Sequence, residues 1–270
     1  MKKLISILLA LALLLGGVSA MAEGTLRVGM ECGYAPYNWT QPEASDYAVA
    51  IDGGAGYADG YDVQIAKAIA EGLDKELVIV KVEWDGLIPA VTSGAIDAII
   101  AGMSPTEERK ATLDFTDPYY LVDMVVVVKS DGPYANATSL ADFSGAAITG
   151  QLNTTHYEVI DQIPGVNKLA AMETFPAMTV ALKSGAIDGY IAERPGAIAD
   201  TMANPELSFV AFDEGNGFDV ALEDTQISVG VAKGSELVSS INDILAGLDQ
   251  AARDQVMEDA IARQPLSDVE

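Results

Sequence analysis

Cysteine and histidine are nearly absent from this chain of 270 residues, which has one Cys and one His. That excludes a disulfide framework and a structural zinc site, each of which needs several such side chains. Cations are scarce as well: 15 Lys and Arg stand against 40 Asp and Glu, for a formal net charge of −25. So acidic a balance excludes nucleic-acid binding, which needs clustered Lys and Arg to displace counterions. It equally disfavours docking on anionic lipid. No hydrophobic run reaches the roughly 20 residues of a membrane-spanning helix. A phosphate-cradling loop of the Walker type is also missing, so ATP chemistry does not belong to this chain.

What is present is a composition that folds. Half the residues are hydrophobic and only 20% are charged, enough for one large domain or two small ones with an ample core. The chain begins with Lys2-Lys3, then an apolar run at 4–18, then small residues at Val18-Ser19-Ala20 and Ala20-Met21-Ala22. This reads as a signal peptide over 1–22, cleaved after Ala20 or Ala22. No Cys stands directly after the apolar run, so lipid attachment at a processed N-terminal Cys is not expected. The remainder is expected to be periplasmic or extracellular, without membrane insertion of its own. Cys32 is then a lone thiol, expected to be a buried small hydrophobe. His156 has no His or Cys near it, and is expected on a partly exposed helical turn.

Along the chain, short apolar segments alternate with helical periodicity. Strands are expected at 26–30, 78–82, 96–100, 146–149, near Leu169 and at 188–191. Helices are expected from Asp62 as N-cap, over 87–92, from Thr155, over 177–183 and as one long helix over 239–262. Residues 37–59 lack periodicity and lead into a stretch holding four Gly between Gly53 and Gly60, which reads as a long loop. Strand–helix alternation predicts parallel sheets covered by helices.

The most informative pattern is internal. Residues 90–101 (AVTSGAIDAIIA) recur as 181–192 (ALKSGAIDGYIA), with eight of twelve positions identical. Each copy is a helix end, a Gly suited to the left-handed position after it, and a strand. Two α/β lobes of like topology follow. Ligands of such sheets lie beyond the carboxyl ends of the strands, which aims Gly102 and Glu193 into one shared cleft. The apolar segments 125–128 and 227–231 fit neither copy and are placed to carry the chain between lobes as a two-strand hinge. The expected division is 23–123 for the first part of lobe 1, 124–226 for lobe 2, and 227–270 for the return to lobe 1.

Several motifs stand in order: Leu26-Arg-Val-Gly, Tyr34-Ala-Pro-Tyr, Gly60-Tyr-Asp-Val, Trp84-Asp-Gly-Leu-Ile-Pro-Ala, Ser93-Gly-Ala-Ile-Asp, Met103-Ser-Pro-Thr-Glu-Glu-Arg and Asp114-Phe-Thr-Asp-Pro-Tyr-Tyr. With these the chain resembles the extracellular solute-binding proteins of polar amino-acid ABC transporters, family 3. The resemblance implies a two-lobed type II α/β fold, each lobe a mostly parallel sheet with helices on both faces. It also implies a monomeric binding protein that closes on a free amino acid and delivers it to a membrane permease, with no cofactor. By resemblance, Arg109 clamps the ligand carboxylate, for which a planar two-pronged donor is suited. Ser104 adds its N–H and hydroxyl, and the Gly102 carbonyl accepts from the ammonium. Thr155 opens a helix in lobe 2, with Glu158 completing a capping box, and its free N–H groups attract anions. Glu193 stands where the family commonly has Asp for the ammonium, and Asn153 replaces a usual Gly. Tyr34 and Trp84 offer flat faces to the ligand side chain, with Glu31 and Gln151 at its far end, which leans the ligand towards a basic or amide amino acid. Two other readings stay open: a dehydratase on the same scaffold, with Glu193 as general acid, and a sensor domain that signals to a receptor.

Overall fold

The computed structural model describes residues 24–265; the expected signal peptide lies outside them. Two five-stranded sheets carry the architecture. The first runs in the order Glu76–Lys81, Thr25–Met30, Ala98–Ile99, Gly230–Ala232, Leu113–Phe115. Its first three strands are parallel, and Gly230–Ala232 runs antiparallel to both neighbours. The second repeats the plan: Asn167–Lys168, Ala147–Thr149 and Gly189–Glu193 are parallel, followed by the reversed Met124–Lys129 and then Leu207–Val210. Among the described residues no helix is long and apolar enough to cross a membrane.

The two copies of the internal repeat occupy the same place in their sheets, third in order and beside the reversed strand. Gly94 and Gly185 have φ of +76° and +78°, as the turn after each helix requires. The Asp of each copy has a matching duty. Asp97 Oδ2 accepts from the Arg27 N–H at 2.8 Å, and Asp188 Oδ2 accepts from the Ala147 N–H at 2.8 Å. Each carboxylate therefore satisfies a backbone donor of the neighbouring parallel strand.

Five expectations need correction. Residues 37–59 are not a loop: Gly33–Tyr34, Asn38–Gln41, Tyr57–Asp59 and Val49–Ala50 form a four-stranded sheet, whose short strands and glycines hide the period of two. Asp62 is not an N-cap. The helix Tyr61–Gly72 is capped by Gly60, and Asp62 is buried, accepting from Asn38 Nδ2 at 2.8 Å and the Tyr119 hydroxyl at 2.7 Å. Gly60 is required there, since its φ is +133° and an added Cβ would stand 2.2 Å from the Tyr37 carbonyl oxygen. The helix over 87–92 begins earlier, at Trp84, so its first turn reaches the cleft. The apolar segments 125–128 and 227–231 are largely the reversed inner strands of the two sheets; the chain crosses just before the first and at the start of the second, where Tyr120–Leu121 pairs antiparallel with Gln226–Ile227. The long C-terminal helix is two, Leu237–Ala246 and Gln250–Arg263, the second N-capped by Asp249, which accepts from the Ala252 N–H at 2.8 Å.

Candidate functional site

Strand ends of both sheets converge on one small cavity. Its walls include all nine residues named from the sequence: Glu31, Tyr34, Trp84, Gly102, Ser104, Arg109, Gln151, Thr155 and Glu193. Ala101, Met124, Thr154 and His156 complete it. The side chains draw close enough to leave about 20 Å³, room for roughly one water. Through Trp84, Arg109, Thr154 and Thr155 the cavity adjoins a wider one of about 680 Å³, whose lining includes Asp85, Glu107, Glu108, Glu158, Glu223 and Asp224.

Arg109 is set by a short helix, Glu107–Lys110, that Thr106 caps by accepting the Arg109 N–H. Its guanidinium donates to the Ser104 carbonyl at 2.9 Å and, across the cleft, to the Asn153 carbonyl at 3.1 Å. Its Cζ lies 5.0 Å from the centre of the Trp84 ring, a cation–π contact. Burial lowers its pKa to about 10, which leaves it charged at neutral pH. Ser104 turns its hydroxyl to the Asp224 carbonyl at 3.2 Å. Gly102 has φ +62°, and a Cβ there would come within 3.2 Å of the Tyr34 ring.

Asn153, beside the expected site, latches the two sides. Its carbonyl also accepts from Trp84 Nε1 at 3.3 Å, and its amide donates to Asp85 Oδ1 at 2.8 Å. Its φ of +56° is tolerated by Asn. A second latch joins Gln151 Nε2 to Glu31 Oε1 at 2.9 Å, with the same amide nitrogen reaching the Glu173 carbonyl at 3.1 Å. Glu31 follows directly on the strand Thr25–Met30. Its other oxygen is buried without a partner, and its pKa is raised to about 7, chiefly by burial, with the Gln151 bond opposing.

Tyr34 is placed in the cavity but engaged elsewhere: its ring stacks on Phe175 at 4.2 Å and on Tyr37 at 4.9 Å. Trp84 is therefore the freer of the two flat faces. Thr155 is the first residue of a four-residue helix, Thr155–Glu158, and the expected capping box is not formed; Thr154 is the N-cap and donates its hydroxyl to the Gln151 carbonyl at 2.7 Å instead. Glu193 is 3% exposed, at the end of Gly189–Glu193, and burial, then the Glu31 charge, pushes its carboxyl above the usual range.

The residue that sequence reasoning missed is His156. It is buried rather than partly exposed, with Nε2 2.9 Å from Glu193 Oε1 and Nδ1 3.2 Å from Thr154 Oγ1. The only available signal was its position directly after Thr154-Thr155, because a single His without a sequence neighbour otherwise reads as incidental.

The arrangement offers one guanidinium and two carboxyls, each carboxyl with an unpartnered oxygen, around a space that two latches close. The sequence matches the profile of the bacterial extracellular solute-binding proteins, family 3, over residues 26–258. It is 28% identical to a probable histidine-binding protein of Campylobacter jejuni, covering 90% of this chain and 85% of that one. It is 29% identical to the L-arginine-binding protein of Pseudomonas aeruginosa, covering 90% and 89%. A solved structure of an ancestral arginine-binding protein bound to arginine matches with a TM-score of 0.72 at 31% identity, over 88% of this chain and 98% of that one. With most of its length matched by that profile, the chain belongs to the bacterial extracellular solute-binding proteins of family 3.

Proposed function

We propose that this protein captures a free polar amino acid with a cationic side chain between its two sheets and delivers it to the membrane permease of an ABC transporter. The observation that carries the reading is the charge pattern of the cleft. Arg109 is the match for one carboxylate, and the unpartnered oxygens of Glu31 and Glu193 are matches for two cationic groups, as a basic amino acid supplies. Gln151 at the Glu31 end admits an amide side chain as the weaker alternative. The relatives named for arginine and histidine support the same class.

Capture follows from incomplete half-sites. In this reading the described residues 24–123 and 227–265 make one lobe and 124–226 the other, with the ribbon of Tyr120–Leu121 and Gln226–Ile227 as hinge. Neither lobe alone presents both Arg109 and Glu193, so the ligand has differential affinity for the closed form and shifts the population towards it. Periplasmic binding proteins are a stock example of such hinge closure. The ligand leaves unchanged; the protein acts as a monomer, outside the cytoplasm, after removal of 1–22. The test is a thermal-shift screen of unfolded, ligand-stripped and refolded protein against the twenty amino acids. Arginine, lysine or histidine is expected to raise Tm most. A flat response to all twenty would sink the reading.

A further inference from the structure

We propose that Tyr34 sets how large a side chain this protein accepts. Its ring partitions the amino-acid cavity from a second, apolar cavity, so compact cationic side chains are admitted and those carrying a bulky apolar extension are rejected. This rests on the capture reading above and narrows the substrate class of the same site.

The second cavity measures about 640 Å³ and is lined by the helices Phe175–Ser184 and Arg194–Ala203, together with residues 33–35, Gln264 and Pro265. Ala35, Phe175, Val180, Ala192 and Ala199 give it apolar walls. Its polar side chains are already engaged. Asp200 accepts from the Thr179 hydroxyl at 2.9 Å and from the Tyr190 hydroxyl, and the Lys183 ammonium donates to Asn204 Oδ1 at 2.6 Å. An apolar cavity of about 150 Å³ is enough to take up benzene, so this one has room for an aromatic group.

Among the described residues Tyr34 alone lines both this cavity and the amino-acid cavity. Its two ring edges face the two spaces. A Cβ on Gly102, a wall of the amino-acid cavity, would stand 3.2 Å from Cε1. A Cβ on Gly196, a wall of the second cavity, would stand 3.3 Å from Cε2 and 3.4 Å from the hydroxyl oxygen. Glycine at both places leaves the ring its width. Tyr34 is buried and held by its stacks on Phe175 and Tyr37, and Phe175 belongs to the wall of the second cavity. The Tyr34 hydroxyl is buried without a hydrogen-bond partner, so ring packing and not a polar bond keeps the partition in place.

The orientation of the captured molecule decides where an extension would point. Arg109 and Thr155 line the wider outer cavity as well, whereas Glu31, Gln151 and Tyr34 do not. An amino acid with its carboxylate at Arg109 and its side-chain cation at Glu31 therefore directs that side chain away from the outer cavity. In a space of about 20 Å³ a group added beyond the side-chain nitrogen finds no room, and Tyr34 closes off the apolar space that would receive it. Rejection by a fixed steric wall is how a site discriminates against a ligand that shares every polar group with the right one.

Calorimetry on ligand-stripped protein compares L-arginine and L-lysine with their side-chain N-benzyl derivatives, which keep the positive charge and add one apolar ring. Wild type and Tyr34→Phe are expected to bind a derivative about 100-fold more weakly than its parent, and Tyr34→Ala and Tyr34→Leu to narrow that ratio about tenfold. Phe175→Ala, which leaves Tyr34 in place without one of its stacks, is expected to narrow it in part. In the Tyr34→Ala complex, nuclear Overhauser contacts are expected from the benzyl protons to the Val180 methyls; contacts to Ile88, in the wall of the outer cavity, would overturn the proposal. A wild type that binds derivative and parent alike, or a ratio unchanged in every variant, would overturn the partition and leave capture standing. No binding of any of the twenty amino acids would overturn the capture reading and the partition with it.

Discussion

Arg109 commits two N–H groups to backbone carbonyls on opposite sides of the cleft while its flat face rests against Trp84. A ligand carboxylate must exchange with those carbonyls, and only a rigid fork can serve both partners in turn. Arg109→Lys keeps the charge and loses the fork, so affinity for L-arginine is expected to fall about 100-fold, roughly 3 kcal/mol, read by calorimetry. Glu31→Gln is expected to weaken L-arginine far more than L-glutamine, because it removes the carboxylate at the side-chain end. The buried carboxyls also govern stability. Glu31 is raised from 4.5 to about 7 and Asp62 from 3.8 to about 6, both mainly by burial. The folded chain then binds more protons than the unfolded one between these values. Stability present at low pH is therefore lost as pH rises through them, at most about 1.4 kcal/mol per pH unit for each carboxyl. The ligand-free protein is expected to melt lower at pH 8 than at pH 5, with a shallower fall in Glu31→Gln; a Tm that rises over that range would contradict the account.

At the scale of elements, the internal repeat was legible because it encodes the same local physics twice. A helix end, a left-handed Gly and an Asp bonded to the next strand's backbone are all sequence-local devices. Asp97→Ala and Asp188→Ala each leave a strand donor unmet and are expected to cost about 1–3 kcal/mol in urea denaturation, with little effect on ligand affinity, since neither lines the cavity. What stayed hidden depends on distant partners. Residues 38–59 pair into a small sheet through strands too short to show a period, and Asp62 looks like a cap until Asn38 and Tyr119 are brought to it. The site residues at strand ends were readable from the repeat and the resemblance. His156 was not, because its role depends on Glu193, 37 positions on, and on a turn capped by Thr154 rather than Thr155.

The whole molecule sets how a ligand arrives and how long it stays. A formal charge of −25 and the acidic lining of the outer cavity attract a cation towards the cleft. The association rate of L-arginine is expected to fall with added salt while that of L-glutamine changes little, as stopped-flow fluorescence of Trp84 would record. In the proposed scheme the hydrogen bonds of Asn153 and Gln151 across the cleft are the latches that hold the two sides together over the ligand. At the centre of the proposed scheme Arg109, reaching across the cleft, is the group assigned to hold an amino acid by its carboxylate. Calorimetric titration of L-arginine into ligand-stripped protein, beside Arg109→Ala, tests that role most directly. Micromolar or tighter binding that vanishes in the variant is the predicted result; undiminished binding in Arg109→Ala, or none in either protein, would contradict it.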